Sequence, residues 1–320
     1  MKYLALALAS AALTGAQTPA ISIRPNSAAS ALVGARTGVP ILGYIAGPGS
    51  LELRPIVGTV KGAQLGANVS VPLATKRFFV PPREHYLLLE SIANESLSVW
   101  SPAKGSVAGT SAMTHPDVVA FSARGEAAAV YAKTADRLQV ISGLPAEPKV
   151  ATLPGFGKLD EVVSFAVSDD GGAVVALMAD GTALSFAGAG GWQRLPNAFG
   201  AHALLFVPNT HNLVISDPSQ RLVTLLPDFG SSRILAQGIQ ADRLAFTKEG
   251  DVLLAASSTQ GKLWTVDLKT LMPATVSFST IDTLLPLRDG RTFLLSSPGL
   301  SLLTLPVDAD GAAAFITVTR

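Results

Sequence analysis

Four histidines are the residues of this sequence best suited to acid–base chemistry or metal binding, and they are His85, His115, His202 and His211. None of them forms an HExxH, HxH or other close pair, the spacing that brings two imidazoles to one metal ion. His85 and His211 fall in similar polar turns and could line one face of the fold together. Because polar residues commonly occupy turns, we interpret both as turn residues.

Two acidic fragments resemble parts of a calcium site, and they are Asp169-Asp170 and Asp308-Ala309-Asp310-Gly311. Calcium takes six to eight oxygen ligands, and a complete loop adds a distal glutamate. The second fragment continues as Ala-Ala-Ala-Phe and has no such residue. Asp and Gly also favour tight turns, so we predict structural turns here and no metal site.

The motifs of common active sites are missing from the sequence. There is no G-x-S-x-G elbow, no Walker motif, and no G-x-G-x-x-G after a strand. The run Gly188–Gly191 is interpreted as a hairpin connection. We therefore predict no catalytic residue, no cofactor-binding residue and no cofactor.

Three tryptophans could form a binding platform, and they are Trp100, Trp192 and Trp264. Trp100 and Trp264 fall at the same place in two similar strands, where packing in the core is the usual role of an aromatic side chain. Trp192 follows a Gly-rich turn, so we expect it to be the most exposed of the three.

Composition excludes several classes of protein. The net charge is +1, and basic residues such as Arg36, Lys76-Arg77 and Arg83 are scattered, so we expect no nucleic-acid partner. Cysteine is absent, which excludes disulfides, thiol catalysis and zinc–thiolate sites. Charged residues make up only 15% and apolar residues 48% of the 320 residues, which indicates a folded chain with a large core.

The first 16 residues have the pattern of a cleaved signal peptide. Lys2 is followed by an apolar run from Tyr3 to Leu13, and small residues precede a cleavage site after Ala16. We expect a flexible leader over residues 17–40, with a possible short strand at Ile21–Arg24. No later apolar run is long enough to span a membrane. We therefore expect an exported protein, periplasmic or extracellular, that is a monomer.

A repeat of about forty residues organises the remaining chain, residues 41–320. Similar polar turns follow short apolar runs, and successive turns are separated by 40, 46, 39, 40 and 40 residues. The residues that mark these turns are His85, Gly125, Gly171, Thr210, Gly250 and Gly290.

Each repeat reads as four short antiparallel strands separated by turns. A single four-stranded sheet leaves both faces and both edges open, whereas several sheets packed around an axis cover one another. We therefore predict an all-β fold, a β-propeller of six or seven four-stranded blades, with seven favoured over six. A two-layer β-sandwich is the main rival, and the regular period favours the propeller. Residues 41–58 look like the third and fourth strands of a further unit, and 59–73 like an irregular bridge.

The turns FSARGE, VSDDGG, FTKEGD and LRDGR, with the strands LSVW and KLWTVD, resemble those of the WD-type and YVTN-type β-propeller superfamily. The N-terminal hairpin ILGYIAGPGSLELRPIVG resembles secreted bacterial propeller proteins. Ser101 and Thr265 follow Trp100 and Trp264 where the WD repeat has Asp. The resemblance implies a propeller used as a binding scaffold, as a sugar or lactone enzyme, or in outer-membrane assembly.

The missing catalytic motifs favour a non-catalytic binding or scaffold protein that presents its loops to a protein or peptide partner. The alternative is a propeller-fold hydrolase, lactonase-like or glycan-processing, with its site at the central channel. That alternative requires carboxylates, amides or histidines that converge on the channel.

Overall fold

The computed structural model describes most of the chain from residue 39 onwards. The described residues are 39–46, 52–59, 62–83, 85–110, 112, 115–155, 162–186, 191–196, 198, 200–278, 281–296, 301–305 and 314–317. The predicted signal peptide, most of the predicted leader and the Asp308–Gly311 fragment lie outside them.

The described residues form seven antiparallel sheets, which we number as blades in chain order. Blade 1 contains β1 (Ile41–Ala46), β2 (Leu53–Val57) and β3 (Gln64–Leu65). Blades 2 and 3 contain β4 (Thr75–Phe79), β5 (Leu87–Ser91), β6 (Leu97–Ser101), β7 (Ser106–Gly109), β8 (Val118–Phe121), β9 (Ala127–Ala132), β10 (Arg137–Ser142) and β11 (Lys149–Leu153). Blades 4 and 5 contain β12 (Val162–Val167), β13 (Val174–Met178), β14 (Ala183–Phe186), β15 (Trp192–Arg194), β16 (Ala203–Phe206), β17 (Leu213–Asp217), β18 (Leu222–Leu226) and β19 (Arg233–Gln237). Blades 6 and 7 contain β20 (Arg243–Phe246), β21 (Val252–Ser257), β22 (Lys262–Asp267), β23 (Pro273–Ser277), β24 (Leu285–Pro286), β25 (Thr292–Ser296), β26 (Ser301–Thr304) and β27 (Ala314–Thr317).

The blades are arranged as a seven-bladed β-propeller, which confirms the favoured prediction. Within each blade the strands pair in chain order. The first strands of blades 3 to 7 contact one another in succession, so they lie innermost around the axis. The fourth strand of blade 2, β7, is exposed along its whole length, as expected for the rim. A short 3-10 turn at Pro227–Phe229 interrupts blade 5.

The second strand of each blade lies in the middle of the core. Every residue of β9 is buried, and alternate side chains point to opposite neighbours. Ala129 and Tyr131 pack with blade 4, whereas Ala128 and Val130 pack with blade 2. Small side chains in this strand let adjacent sheets approach closely, which explains why its sequence is continuously apolar.

A hydroxyl side chain begins several of the turns between first and second strands. The hydroxyl oxygens of Ser122, Ser168 and Thr247 each accept a hydrogen bond from the backbone N–H five residues later. These bonds close the turn at the start of the second strand and satisfy a buried N–H group. A glycine with positive φ follows in each of the three turns, as at Gly171, where φ is 74°.

Blade 1 closes the ring by packing its two faces on its neighbours. Ile56 shares an apolar cluster with Leu294 and Leu302 of blade 7, and Tyr44 shares another with Leu87 of blade 2. The predicted irregular bridge over 59–73 is partly wrong, because β3 lies within it and pairs with β2. Pairing with β3 gives blade 1 three strands in the described part of the chain, one fewer than the other six blades have.

Candidate functional site

His85, His211 and Asp169-Asp170 lie in turns between first and second strands, but they do not form one site. The imidazole of His211 lies 3.0 Å from the carboxylate of Asp170, in a neighbouring blade. His85 lies in the turn of blade 2, at the surface. Partial desolvation by the atoms around it, followed by the charges of Arg288, Arg83 and Lys248, lowers the pKa of His85. The two histidines therefore lie on the same face of the ring in different surroundings.

The tryptophans have the packing roles that the sequence indicated. Trp100 is buried between blades 1 and 2, and Trp264 is buried in the core of blades 5 and 6. Trp192 is partly exposed, and its indole N–H donates a hydrogen bond to the Pro154 carbonyl of blade 3, 3.0 Å away. These side chains hold blades together and do not form a shared platform.

We call the face that carries the turns between first and second strands the turn face. A loop of blade 2 crosses this face and contacts three other blades. The backbone N–H of Arg83 donates to the Pro286 carbonyl of blade 7, and its guanidinium donates to the Lys248 carbonyl of blade 6. The hydroxyl of Tyr86 donates to the Gly125 carbonyl of blade 3. A loop fastened to three other blades must cross the end of the channel.

Asp169 strengthens the same face. Its two carboxylate oxygens accept the backbone N–H groups of Arg124 in blade 3 and Asn209 in blade 5, each at 2.8 Å. Arg124 also donates a side-chain hydrogen bond to the side-chain oxygen of Asn209 at 2.8 Å. Asp169 is buried, and both of its carboxylate oxygens accept hydrogen bonds. It therefore connects blade 4 to blades 3 and 5.

The opposite face carries a charged cluster that the sequence analysis missed. Glu90, at the end of β5, is completely buried, and the side chains of Lys76 and Arg77 on β4 lie 3.2 Å and 2.5 Å from its carboxylate oxygens. Glu95, in the next turn, lies 2.9 Å from the Lys76 ammonium and pairs with His115. We call these five residues the blade-2 cluster.

The other blades provide an internal comparison for Glu90. In the pairing of the second and third strands of blade 2, Glu90 lies opposite Leu97, seven residues later in the chain. In three other blades, one residue of the second strand likewise lies opposite the residue seven positions later, and it occupies the position equivalent to Glu90. Those positions hold Tyr131, Ser216 and Ala256. An uncharged residue therefore suffices for packing at this point. A buried ion pair is often no more stabilising than an apolar replacement, so the charge at Glu90 requires another reason.

Electrostatics in the blade-2 cluster favour the charged forms of its exposed members. The hydrogen bond to Glu95, followed by the nearby carboxylate of Glu90, raises the pKa of Lys76. The hydrogen bond from Lys76, assisted by the charge of His115, lowers the pKa of Glu95. The guanidinium of Arg77 also donates to the Pro116 carbonyl and lies over the ring of Phe79. The cluster is thus an ordered set of charges.

Two large apolar side chains are exposed beside this cluster. Ile92 is 56% exposed and Leu73 is 36% exposed. The backbone N–H of Ile92 donates to the Ala74 carbonyl, so the segments that carry them lie side by side. We call Leu73, Ile92 and the blade-2 cluster together the blade-2 corner.

The sequence contained one signal for the blade-2 cluster. The second strand of blade 2 reads Leu-Leu-Leu-Glu, with a charge inside a continuously apolar strand. His115 could not be associated with it, because it lies 25 residues after Glu90 and reaches it through the connection between blades.

Comparisons with known proteins support the architecture. No family model matches the sequence, and no curated protein matches it. Among solved structures, the chain is similar to PorZ, described as an essential bacterial surface component of the type-IX secretion system of Porphyromonas gingivalis. The TM-score is 0.57 at 14% identity, over 88% of this chain and 39% of PorZ. The chain therefore spans about two fifths of the length of PorZ.

Two further structures show weaker similarity. One is a protein of unknown function from Desulfotomaculum acetoxidans, with a TM-score of 0.48 at 14% identity over 75% of this chain and 78% of that chain. The other is the β-propeller domain of Swd1 from Myceliophteria thermophila, with a TM-score of 0.46 at 16% identity over 63% of this chain and 70% of that chain. At these identities the similarity to PorZ shows the fold alone. In the described part, no helix is long and apolar enough to cross a membrane.

Proposed function

We propose that this chain is a non-catalytic binding protein that acts outside the cytoplasm and docks a protein or peptide partner on the blade-2 corner. The observation that carries this proposal is the buried Glu90 network with exposed Ile92 and Leu73 at its edge. A surface fixed by buried charges loses little conformational freedom when a partner binds, and exposed apolar side chains supply the contact area.

The chemistry of the corner indicates what a partner presents to it. Lys76 and Arg77 keep 43% and 41% of their side chains exposed. An apolar side chain of the partner would cover Ile92 and Leu73, and a neighbouring carboxylate would pair with these cations. We therefore propose an acidic peptide segment with an apolar anchor as the ligand.

The turn face supports binding over hydrolysis at the channel. A hydrolase needs a carboxylate or imidazole free to exchange protons with substrate. The carboxylate of Asp169 is occupied by two backbone N–H groups, and the Arg83 loop crosses the end of the channel. The proposal of export depends on the signal-peptide pattern of residues 1–16.

Site-specific photo-crosslinking tests the proposed docking surface. A photoreactive phenylalanine analogue placed at Ile92 should give a discrete adduct with one partner in envelope extract, because that side chain is at the centre of the contact. The adduct should disappear when Leu73→Asp is added. The matched control is the same analogue at Ile234, which is 46% exposed on the outer strand of blade 5. Equal adducts at both positions, or none at Ile92, would refute the proposal.

A further inference from the structure

We propose that Glu90, Glu95 and His115 bind a divalent metal ion, and that Zn²⁺ is the ion they suit best. One potential ligand atom of each residue lies within 4.8 Å of those of the other two. Two carboxylates and an imidazole are donors that Zn²⁺ accepts, with water in a fourth position. The residues belong to β5, the turn after it and the connection to blade 3, so the ion would join three segments of backbone.

The second observation is a buried oxygen that accepts no hydrogen bond. Among the described residues, Oε1 of Glu90 has no hydrogen-bond partner, although the Lys76 ammonium lies 3.2 Å away. Carboxylate oxygens this deeply buried are normally hydrogen-bonded or coordinated to a metal ion. Glu90 is one of the three proposed ligands, and this oxygen has an ion-pair neighbour in Lys76 but no hydrogen bond, so it is available to a metal ion once that ammonium moves away.

The other oxygen of Glu90, Oε2, is oriented by a hydrogen bond from Arg77, as metal-binding carboxylates commonly are. Oε2 lies 2.5 Å from the Nε atom of Arg77. The same guanidinium donates to the Pro116 carbonyl, next to His115 in the chain. Groups that orient metal ligands from behind commonly raise metal affinity by fixing ligand geometry. Arg77 would therefore position both the carboxylate and the segment that carries the imidazole.

The ammonium group of Lys76 takes the place of a metal ion between the two carboxylates. Its ammonium lies 2.9 Å from Glu95 and 3.2 Å from Glu90, so a cation already lies between the two carboxylates. The Lys76 side chain is 43% exposed and long enough to turn into solvent. A metal ion and this ammonium would compete for the same oxygens.

This competition gives the proposal a distinctive test by isothermal titration of the purified chain with ZnCl₂. The unmodified chain should bind one Zn²⁺. The variant His115→Ala should bind at least about tenfold more weakly, because a ligand is lost. The variant Lys76→Met should bind roughly tenfold more tightly, because the competing positive charge is removed.

The matched control is His211→Ala, since His211 also pairs with a carboxylate but has one such partner, Asp170. Its Zn²⁺ affinity should equal that of the unmodified chain. Circular dichroism would establish that each variant is folded, and all three substituted residues are exposed. Binding that is unchanged in His115→Ala, or weaker in Lys76→Met, or absent from the unmodified chain, would overturn the site. Because the titration contains no partner, its result is independent of the docking proposal.

Discussion

Asp169 and Asp170 are adjacent and identical in type, yet they do different work. Asp169 is buried and accepts backbone N–H groups from two other blades. Asp170 points outward, where its carboxylate accepts hydrogen bonds from the Ser168 hydroxyl and the Gly172 N–H and pairs with His211. Both residues lie inside the turn that is closed by the hydrogen bond from the Gly171 N–H to the Ser168 carbonyl, and their side chains leave this turn in different directions. A residue type therefore predicts a turn, whereas the direction of its side chain determines which groups of the neighbouring blades it contacts.

Asp170 makes the stability of the chain depend on pH in the acid range. Partial burial opposes its ionisation, but hydrogen bonds from Ser168, Gly172 and His211 outweigh this and lower its pKa from 3.8 to about 2. A carboxyl whose pKa is lower in the folded state stabilises the fold above the unfolded pKa and loses that contribution as pH falls through the folded pKa. In urea unfolding, the stability advantage of the unmodified chain over Asp170→Asn should shrink between pH 3.8 and about 2.

The variant His211→Ala serves as the comparison for this prediction. It removes one of the three interactions and leaves the bonds from Ser168 and Gly172 in place, so its stability should retain a smaller dependence on pH over the same range. A difference between the unmodified chain and Asp170→Asn that is constant across that range would show that the folded state does not perturb this carboxyl.

At the scale of the element, the turns depend on glycine for two separable reasons. Gly171, between the first and second strands of blade 4, has a φ of 74°, and a Cβ atom there would lie 2.9 Å from Ser142 Cβ and 3.1 Å from Val140 Cγ1. Gly105, between the third and fourth strands of blade 2, has a similar φ of 62°, with no neighbouring atom within 4 Å of a Cβ. The variant Gly105→Ala should lower the free energy of unfolding by about 1 kcal/mol through backbone strain alone. The variant Gly171→Ala should lower it by about 3 kcal/mol, because the methyl also clashes with blade 3.

Denaturant unfolding of these two variants measures the difference directly. Equal losses of stability would mean that the blades move apart at no cost, which contradicts close packing between them. The left-handed backbone is common to both glycines, whereas only Gly171 lies against a neighbouring blade.

The elements were the most predictable level of this structure. The apolar segment Ala127–Ala132 coincides with β9, because a strand covered on both faces is built largely from apolar residues. The regular spacing of the turns predicted the propeller fold. The strand β3 could not be predicted from the sequence. It has only two residues, Gln64 and Leu65, and its pairing with β2 depends on the rest of blade 1. The blade-2 cluster was missed for a related reason: strand pairing and an inter-blade connection assemble it from residues that carry no motif.

At the scale of the molecule, the ring is closed by side-chain packing. The strands of blade 1 pair only with one another among the described residues, and so do those of blade 7. Contact between them is carried by an apolar cluster that includes Ile56, Leu287 and Leu294, together with a backbone hydrogen bond from the Arg288 N–H to the Leu42 carbonyl at 3.1 Å. A ring closed in this way depends mainly on the shape and volume of the side chains at one interface, because no strand pairing joins blades 1 and 7 in the described part of the chain.

Ile56 lies at the interface that closes the ring, so its truncation tests how much this interface depends on side-chain packing. Replacing the fully buried Ile56 with alanine should lower the free energy of unfolding by about 2–4 kcal/mol, as is typical when a core isoleucine is truncated. The variant Ile141→Ala, at an equally buried position between blades 2 and 3, should cost a similar amount. Limited proteolysis in dilute denaturant should distinguish them, because only Ile56→Ala loosens the interface that closes the ring. Early cleavage between β3 and β4 is expected in that variant and not in Ile141→Ala. If both variants were cleaved there at the same denaturant concentration, the ring would be opening as one cooperative unit, and closure through blade 1 would be no weaker than the other six interfaces.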